Sequence, residues 1–577
     1  MENSEIAAIF EEISNLIKIL QEDAKWRFKA AAYDRAKRAI ESHPERLEEI
    51  ARDPNRKLTD IPGIGADLAQ KITELAKTGR LEYHQEQLKK VPHALLDLLR
   101  LQTVGPQKVR LFYKELNVNS VDDLEAAARA GRLRALAGMS EKSEANILKA
   151  IEVFRRAAGR FRLDVAFETA QSLTDYLLKA KLVEQVTAAG SLRRGRETVG
   201  DLDLLVTGEN HAAIAAHFIK HPRVVQVLAK GAGKVSVKLD NDLQVDLRMI
   251  PPESYGAALQ YFTGSKEHNV ALRERARKLG LKLSEYGLFQ GDQSIAGQAE
   301  EEVYEKLGLP WIPPELRENL GEIEAAENRH LPDLISLADI RGDLQMHTTA
   351  SDGHASVEEM ASAAKKLGYQ YILITDHSKA VTVAKGLDER QAVENIRRIK
   401  GARERVKGIE IWAGSEVDIM AGGHLDYPDE MLRQFDIVVA TVHSRMTQPG
   451  EEMTERLLKA LENPYVRILG HPTGRQILRR DPFNYDVERV FDAARRLGVI
   501  LEINASPQRI DLCDRHVRLA RDKGIKVVIS TDAHDPAHFE FMRYGVLTAR
   551  RGWMEKTQVI NSYTPGKLLA SLRPLPR

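Results

Sequence analysis

Five short apolar runs near the end of the chain, YILITDH, IVVATVHS, VRILGH, VILEINA and KVVISTDAH, alternate with amphipathic helical stretches. Nothing else in the sequence restricts the fold as strongly. Short buried strands separated by helices are parallel β/α units, and a series of them predicts a barrel. The pattern begins at about Asp339, after Pro310-Trp311-Ile312-Pro313-Pro314 has broken any regular element.

The preceding chain is patterned differently. Up to about Phe154 it is helical, rich in Ala, Leu, Glu, Lys and Arg. From there to about Tyr304 helices mix with β-rich runs such as VTAAGSL, DLDLLVTG, KVSVKL and LQVDLRMI. A chain of 577 residues is too long for one core. The net charge of +1 excludes a globally basic nucleic-acid coat, so phosphate binding falls to local patches and metal ions. One cysteine, Cys513, excludes an internal disulfide and cysteine-based zinc sites, which turns attention to the 17 histidines. The start, MENSEIAAIFEEISNLIKIL, reads as an amphipathic helix and not a signal peptide, and no apolar run is long enough to span a bilayer. A soluble cytoplasmic protein without a membrane partner is expected.

Two aspartates one residue apart, Asp201 and Asp203, lie in VGDLDLLV. Strand alternation sends both carboxylates to one face and Leu202 and Leu204 to the core. Anions that close call for a divalent cation. Asp246, in LQVDLRMI, alternates with Val245 and Leu247 and supplies a third carboxylate, which makes two-metal in-line displacement a coherent reading. An upstream Gly190-Ser191 turn lets backbone approach a phosphate.

In the first third, Ile61-Pro62-Gly63-Ile64-Gly65 precedes a helical stretch, and its glycines permit a hairpin whose N–H groups hold a DNA phosphate. A weaker copy, Leu101-Gln102-Thr103-Val104-Gly105, and a degraded third, Leu136-Ala137-Gly138-Met139-Ser140, follow. Near the other end the runs that hold His347 and Asp352, Asp376 and His377, Glu416, His443, His471, and Asp532 and His534 almost all follow short apolar strands. Strand C-termini of a β/α barrel converge on one mouth, so these side chains meet there as ligands suited to Mn²⁺, Fe²⁺ or Zn²⁺ and to phosphoester hydrolysis.

The segments GSLRRGRETVGDLDLLV, LQVDLRMI and ALQYFTGSKEHNVALRERARKLGLKLSEYGLF, with the hairpins before them, resemble the X family of DNA polymerases over about the first 320 residues. The resemblance implies that Asp201, Asp203 and Asp246 hold catalytic and nucleotide-bound Mg²⁺, with Ser191, Arg194 and Gly200 at the triphosphate. It places Tyr261, Phe262 and Gly264 under the sugar, Asn269 and Arg273 toward the minor groove, and Gly63, Gly65 and Gly105 on DNA. Lys71 stands where relatives carry a Schiff-base lyase lysine, but Asp67 one turn earlier leaves a solvated helix lysine equally open.

The last part resembles the PHP domain. By that resemblance His347, Glu416 and Asp532 share one metal, Glu416, His443 and His471 a second, and Asp352, His377 and His534 a third. The usual first histidine is Gln345 here, an uncharged and weaker ligand. The order of these parts resembles the bacterial X-family polymerases with a fused PHP domain. It implies a multidomain fold: an all-α helix-hairpin-helix region (1–90 and 91–155), an α+β nucleotidyltransferase palm (156–250) with a thumb (251–320), a linker (321–338) and a C-terminal α/β PHP barrel (339–577). Gap filling on primer-template DNA with dNTPs is expected of a monomer, together with 3′→5′ exonuclease activity and abasic-site cleavage. The alternatives are a PHP domain that only stabilises the polymerase, and a small-molecule phosphatase with a DNA-binding front half.

Overall fold

The computed structural model describes residues 3–574 apart from 22, 23, 42, 44 and 93, so the expected outer domain limits at 1 and 577 lie outside the described residues. The chain divides into two compact units, Met1–Ala158 with Leu478–Asp481, and Gly159–Ile477 with Pro482–Arg577.

The first unit is helical. Its opening helix, Asn3–Leu20, serves two cores from two faces. Ile6, Phe10, Ile13 and Ile17 pack with Ile64, Leu68 and Ile72, whereas Leu16 and Ile19 pack with Val104, Val109 and Phe112. The three hairpins share one turn. In each, an N–H at the fourth residue returns to the first residue's carbonyl, at Ile64–Ile61, Val104–Leu101 and Met139–Leu136. The third residue, Gly63, Thr103 or Gly138, is left-handed. Helices then begin behind Gly65 and Gly105, neither of which offers a side-chain cap. The third copy differs because Ser140 caps its own helix, accepting from the Ser143 N–H. Thr103 holds φ +69, a strained conformation for a β-branched residue. Thr103→Gly is expected to stabilise this unit by up to about 1 kcal/mol, read as a higher midpoint of its denaturant transition.

The second unit contains two sheets that carry the chemistry. In the palm, β1 (Gln185–Ala188), β2 (Asp201–Thr207), β3 (Val224–Lys230), β4 (Lys234–Leu239) and β5 (Gln244–Met249) lie in the order β1-β2-β5-β4-β3. The β2–β5 pair is parallel, with Asp203 directly opposite Asp246.

Beyond the palm, helices Tyr255–Thr263 and Lys266–Lys278 and a three-stranded antiparallel sheet (Lys282–Ser284, Gly287–Gln290, Gln293–Ala296) surround a buried ionic network. Arg193 forks onto Glu300 at 2.8 and 2.9 Å, and the fully buried Arg317 reaches the same carboxylate at 2.6 Å. Chain expected to be linker is partly enclosed, since buried Glu322 bonds His268 at 2.6 Å. Burial alone would raise the Glu300 carboxyl, but Arg317 and Arg193 outweigh it and bring it down to about 2. Its contribution, on the order of 3 kcal/mol, is therefore fully present above about pH 4.5 and lost as pH falls toward 2. Unfolding measured from pH 7 to 3 should show this loss in the parent chain, and Glu300→Gln should remove that component.

The barrel strands are β6 (Gly342–Asp343), β7 (Tyr371–Ile374), β8 (Glu410–Asp418), β9 (Ile437–Thr441), β10 (Val466–Leu469), β11 (Ile500–Asn504) and β12 (Val527–Ser530). They are all parallel and neighbour one another in sequence order. A parallel bridge between Met346 and Ala533 draws the ends of the sheet together at the mouth. β7 and β9 to β12 are buried at every position, as two-sided burial of a parallel sheet requires.

Candidate active sites

The palm site follows from register. Asp203 and Asp246 face each other across β2 and β5, and Asp201, two residues before Asp203, shares their face. Asp201 is exposed and Asp246 buried, so the acidic face runs from solvent into the sheet. Burial, reinforced by Asp201 and Asp246, pushes the Asp203 carboxyl up to about 6 despite Arg248. Burial also opposes ionisation of Asp246, yet hydrogen bonds led by Lys234 hold it below its ordinary value. Lys234 Nζ lies 2.5 Å from Asp246, and Arg248 Nε lies 3.4 Å from Asp203 while its guanidinium stacks over Phe262. An all-oxygen set with this much crowded charge fits a hard divalent cation.

Around it, Gly190 is left-handed, and a Cβ there would come within 3.0 Å of Asp203 Oδ2. Ser191 sits in the short helix Gly190–Arg193 that follows. Arg194 bonds the Thr263 carbonyl and, at 3.1 Å, Glu318. Gly264, at φ +71, makes this possible, because a Cβ would press within 3.1 Å of Arg194 Nη1. Tyr261 and Phe262 meet edge to face at 5.1 Å, and Arg273 lies over Tyr261. Asn269 is turned inward: its amide donates to the Tyr261 carbonyl and accepts from Gln260, both at 2.7 Å. Gly200 lies beside Arg160, which bonds Thr198. Arg193 is likewise engaged, with Glu300 and Thr263.

At the barrel mouth Glu416 is the hub. Its two oxygens lie 3.3 Å from His347 Nε2, 3.5 Å from His377 Nδ1, 3.2 Å from His443 Nε2 and 2.8 Å from His471 Nε2. Asp532 meets His347 at 3.1 Å, and Asp352 meets His534 at 3.4 Å and His377 at 3.7 Å. Ligand atoms converge in three groups: His347, Glu416 and Asp532; His377, Glu416 and His443; and His347, Asp352, His377 and His534. Burial disfavours the Glu416 charge, but the surrounding imidazoles hold its carboxyl well below the usual range. His443 is raised to about 9 by Glu416 and Asp418 against its burial, whereas burial drives His377 down to about 4.

Several buried polar atoms here make no hydrogen bond: Nδ1 of His347, His377 and His471, Glu416 Oε2, and both amide atoms of Gln345. Such atoms are costly to bury unless something satisfies them, and a mixed imidazole and carboxylate set fits transition metals. His471 and Asp532 are both left-handed, at φ 25 and φ 56, a form of strain common at functional sites.

A relative from Bacillus subtilis (strain 168), named DNA polymerase/3′-5′ exonuclease PolX, is 36% identical over 539 residues, 93% of each chain. The chain belongs to the PolX family. Family matches agree along its length: a helix-hairpin-helix domain at 1–81, a SAM-like helix-hairpin-helix tandem at 95–152, a DNA polymerase beta thumb at 258–318 and a PHP domain at 343–506. A probable phosphatase of Caldanaerobacter subterraneus subsp. tengcongensis is 34% identical over 204 residues, 33% of this chain and 75% of its own. The structure of Leishmania infantum polymerase beta in a ternary complex aligns at 21% identity over 39% of this chain and 98% of its own, with a TM-score of 0.26. Among the described residues of this PolX-family chain, no helix is long and apolar enough to cross a membrane.

Several groups at these sites escape the sequence patterns. Asp376 accepts from the Thr348 N–H and from Ser351 and Asn395, fixing the loop that carries Asp352. Asp418 accepts from the His443 N–H at 2.7 Å, and Glu502 from the His471 N–H at 2.7 Å. The available signal was weak: acids on or just beyond strands adjoining the ligands. Arg509 Nε lies 3.5 Å from Asp532, and its Nη1 is buried without a partner. Arg475, four residues after His471, forks onto Glu197. Lys71 is paired with Asp67 at 2.5 Å and lies over Tyr83.

Proposed function

We propose that this chain fills short gaps in DNA by template-directed polymerisation and trims 3′ ends with its PHP barrel. The observation that carries the polymerase reading is the register that sets Asp203 against Asp246 with Asp201 on the same face. The palm is assigned to 156–250, the thumb to 251–320, a linker to 321–338 and the PHP domain to 339–577. The hairpins at Gly63, Gly65 and Gly105 take DNA phosphates on uncapped helix starts. The third, occupied by Ser140, does not.

In the palm Ser191, Arg194 and the Gly200 backbone orient the triphosphate. Tyr261, Phe262 and Gly264 bound the sugar, and Asn269 fixes the Tyr261 carbonyl. Arg273, over Tyr261, faces the minor groove. Asp201, Asp203 and Asp246 hold Mg²⁺ there, while Mn²⁺, Zn²⁺ or Fe²⁺ belongs to the eight barrel ligands His347, Asp352, His377, Glu416, His443, His471, Asp532 and His534. Bound in these places, the ions stabilise charge on the reacting phosphate and lower the pKa of the attacking hydroxyl or water. Arg509 is placed to receive a phosphate oxygen at the barrel mouth. We read Lys71 as a structural helix residue and not a lyase nucleophile, because its Nζ is already engaged by Asp67 at 2.5 Å and lies over Tyr83.

The test is incubation of the parent protein with gapped DNA. With dNTPs and Mg²⁺ the primer should grow across the gap, and with Mn²⁺ and no dNTPs it should shorten from its 3′ end. Growth without shortening would support the structural PHP alternative. Gln345→His puts an imidazole at a buried position whose amide atoms make no hydrogen bond. It is expected to raise affinity for transition metal by about tenfold or more, measured by metal titration against a chelator.

A further inference from the structure

The turn of residues 190–201, which carries Ser191 and Arg194 into Asp201, is left-handed at Gly190 and Gly195. A turn with that freedom is fixed by its anchors, and besides Arg160 on Thr198 and Arg194 on Thr263 two of them come from the PHP domain. Arg551, at the end of helix Met542–Arg551, donates to the Arg194 carbonyl at 2.8 Å and to Glu318 at 3.0 Å. Glu318 also receives Arg194 Nε, so Arg551 fixes both the main chain and the side-chain partner of Arg194. The opposite edge of Arg551 is locked on Asp514, with Nε at 2.9 Å and Nη2 at 2.7 Å. Its side chain is only 4% exposed. At Gly195 a Cβ would lie 3.4 Å from Leu547, so the turn rests against the same helix. A second fork, Arg475 on Glu197 at 3.1 and 2.6 Å, holds the turn four residues before Asp201.

We propose that Arg551, assisted by Arg475, is a positioning residue of the polymerase: it holds Arg194 and the 190–201 turn in the conformation that binds the incoming triphosphate. The PHP domain thereby contributes to nucleotide affinity without touching nucleotide. This rests on the reading of Arg194 as a triphosphate ligand. Guanidinium forks with a largely buried arginine fix geometry more than they add net stability, and small displacements of a binding group are costly.

The experiment is single-nucleotide insertion on gapped DNA by the full chain carrying Arg551→Met, Arg551→Lys, Arg194→Met, or Arg551→Met with Arg194→Met. Arg551→Met is expected to raise KM for dNTP about tenfold with at most about a threefold change in kcat, and Arg551→Lys about threefold. KM for DNA and Mn²⁺-dependent exonuclease should stay at the parent level. In the Arg194→Met background Arg551→Met should add nothing, because both act on one contact. An unchanged dNTP KM in Arg551→Met, or an equal further rise without Arg194, overturns the proposal. If Arg194→Met itself leaves KM unchanged, the nucleotide reading fails and the clasp's role fails with it. A raised KM there with none in Arg551→Met sinks the clasp alone. If Arg551→Met loses the exonuclease too, and so has not folded, Arg551→Lys decides by the same dNTP KM: a threefold rise supports the proposal and parent-level KM overturns it.

Discussion

Asp203→Asn should lower nucleotide insertion by about 10³-fold or more, corresponding to the several kcal/mol of transition-state stabilisation that metal ions supply. The substitution is nearly isosteric, so the sheet has no steric reason to change. Asp203 lies opposite Asp246 and follows Asp201 on one face, and its carboxyl is already pushed up to about 6 by burial and those two neighbours. An amide removes one of the charges that make the site attractive to divalent ions and leaves Arg248, 3.4 Å away, facing a neutral acceptor. Insertion should fall while Mn²⁺-dependent shortening of the same primer is retained. Loss of both activities in a folded variant would contradict separate sites.

Glu416→Gln should have the reciprocal effect. Four imidazoles approach this one carboxylate, and it belongs to two of the three ligand groups. Replacing it leaves the cluster short of the charge that offsets His347 and His443, so bound metal and exonuclease activity should fall together. A loss of about 10³-fold in hydrolysis is expected, with metal content by elemental analysis as the independent readout. Gap filling should persist. Undiminished metal content with lost hydrolysis would assign Glu416 to catalysis and not to metal retention.

Much of this arrangement is legible in the sequence because it depends on local period. Alternation in DLDLLV and LQVDLRM places three carboxylates on one face, and the observed register of β2 and β5 agrees. Strand-end histidines meet because a parallel sheet collects its C-terminal ends at one mouth. Contacts distant in sequence leave no such trace. Arg317 and Glu300, or Arg551 and Arg194, are ordinary charges until the fold buries them together. Arg475 shows the limit: nothing near it in the sequence announces Glu197, far away, which claims the guanidinium. The third hairpin copies the turn of the first two, yet Ser140 already occupies the helix start that the others leave uncapped.

One chain is expected both to make and to remove phosphodiester bonds, at two metal centres with separate ligands. Primer extension and degradation followed together on one gapped substrate, in the parent, Asp203→Asn and Glu416→Gln, decide it. The parent should show both products, Asp203→Asn only shortened primers and Glu416→Gln only extended ones. Loss of both products in either folded single variant, or of neither in both, would contradict it.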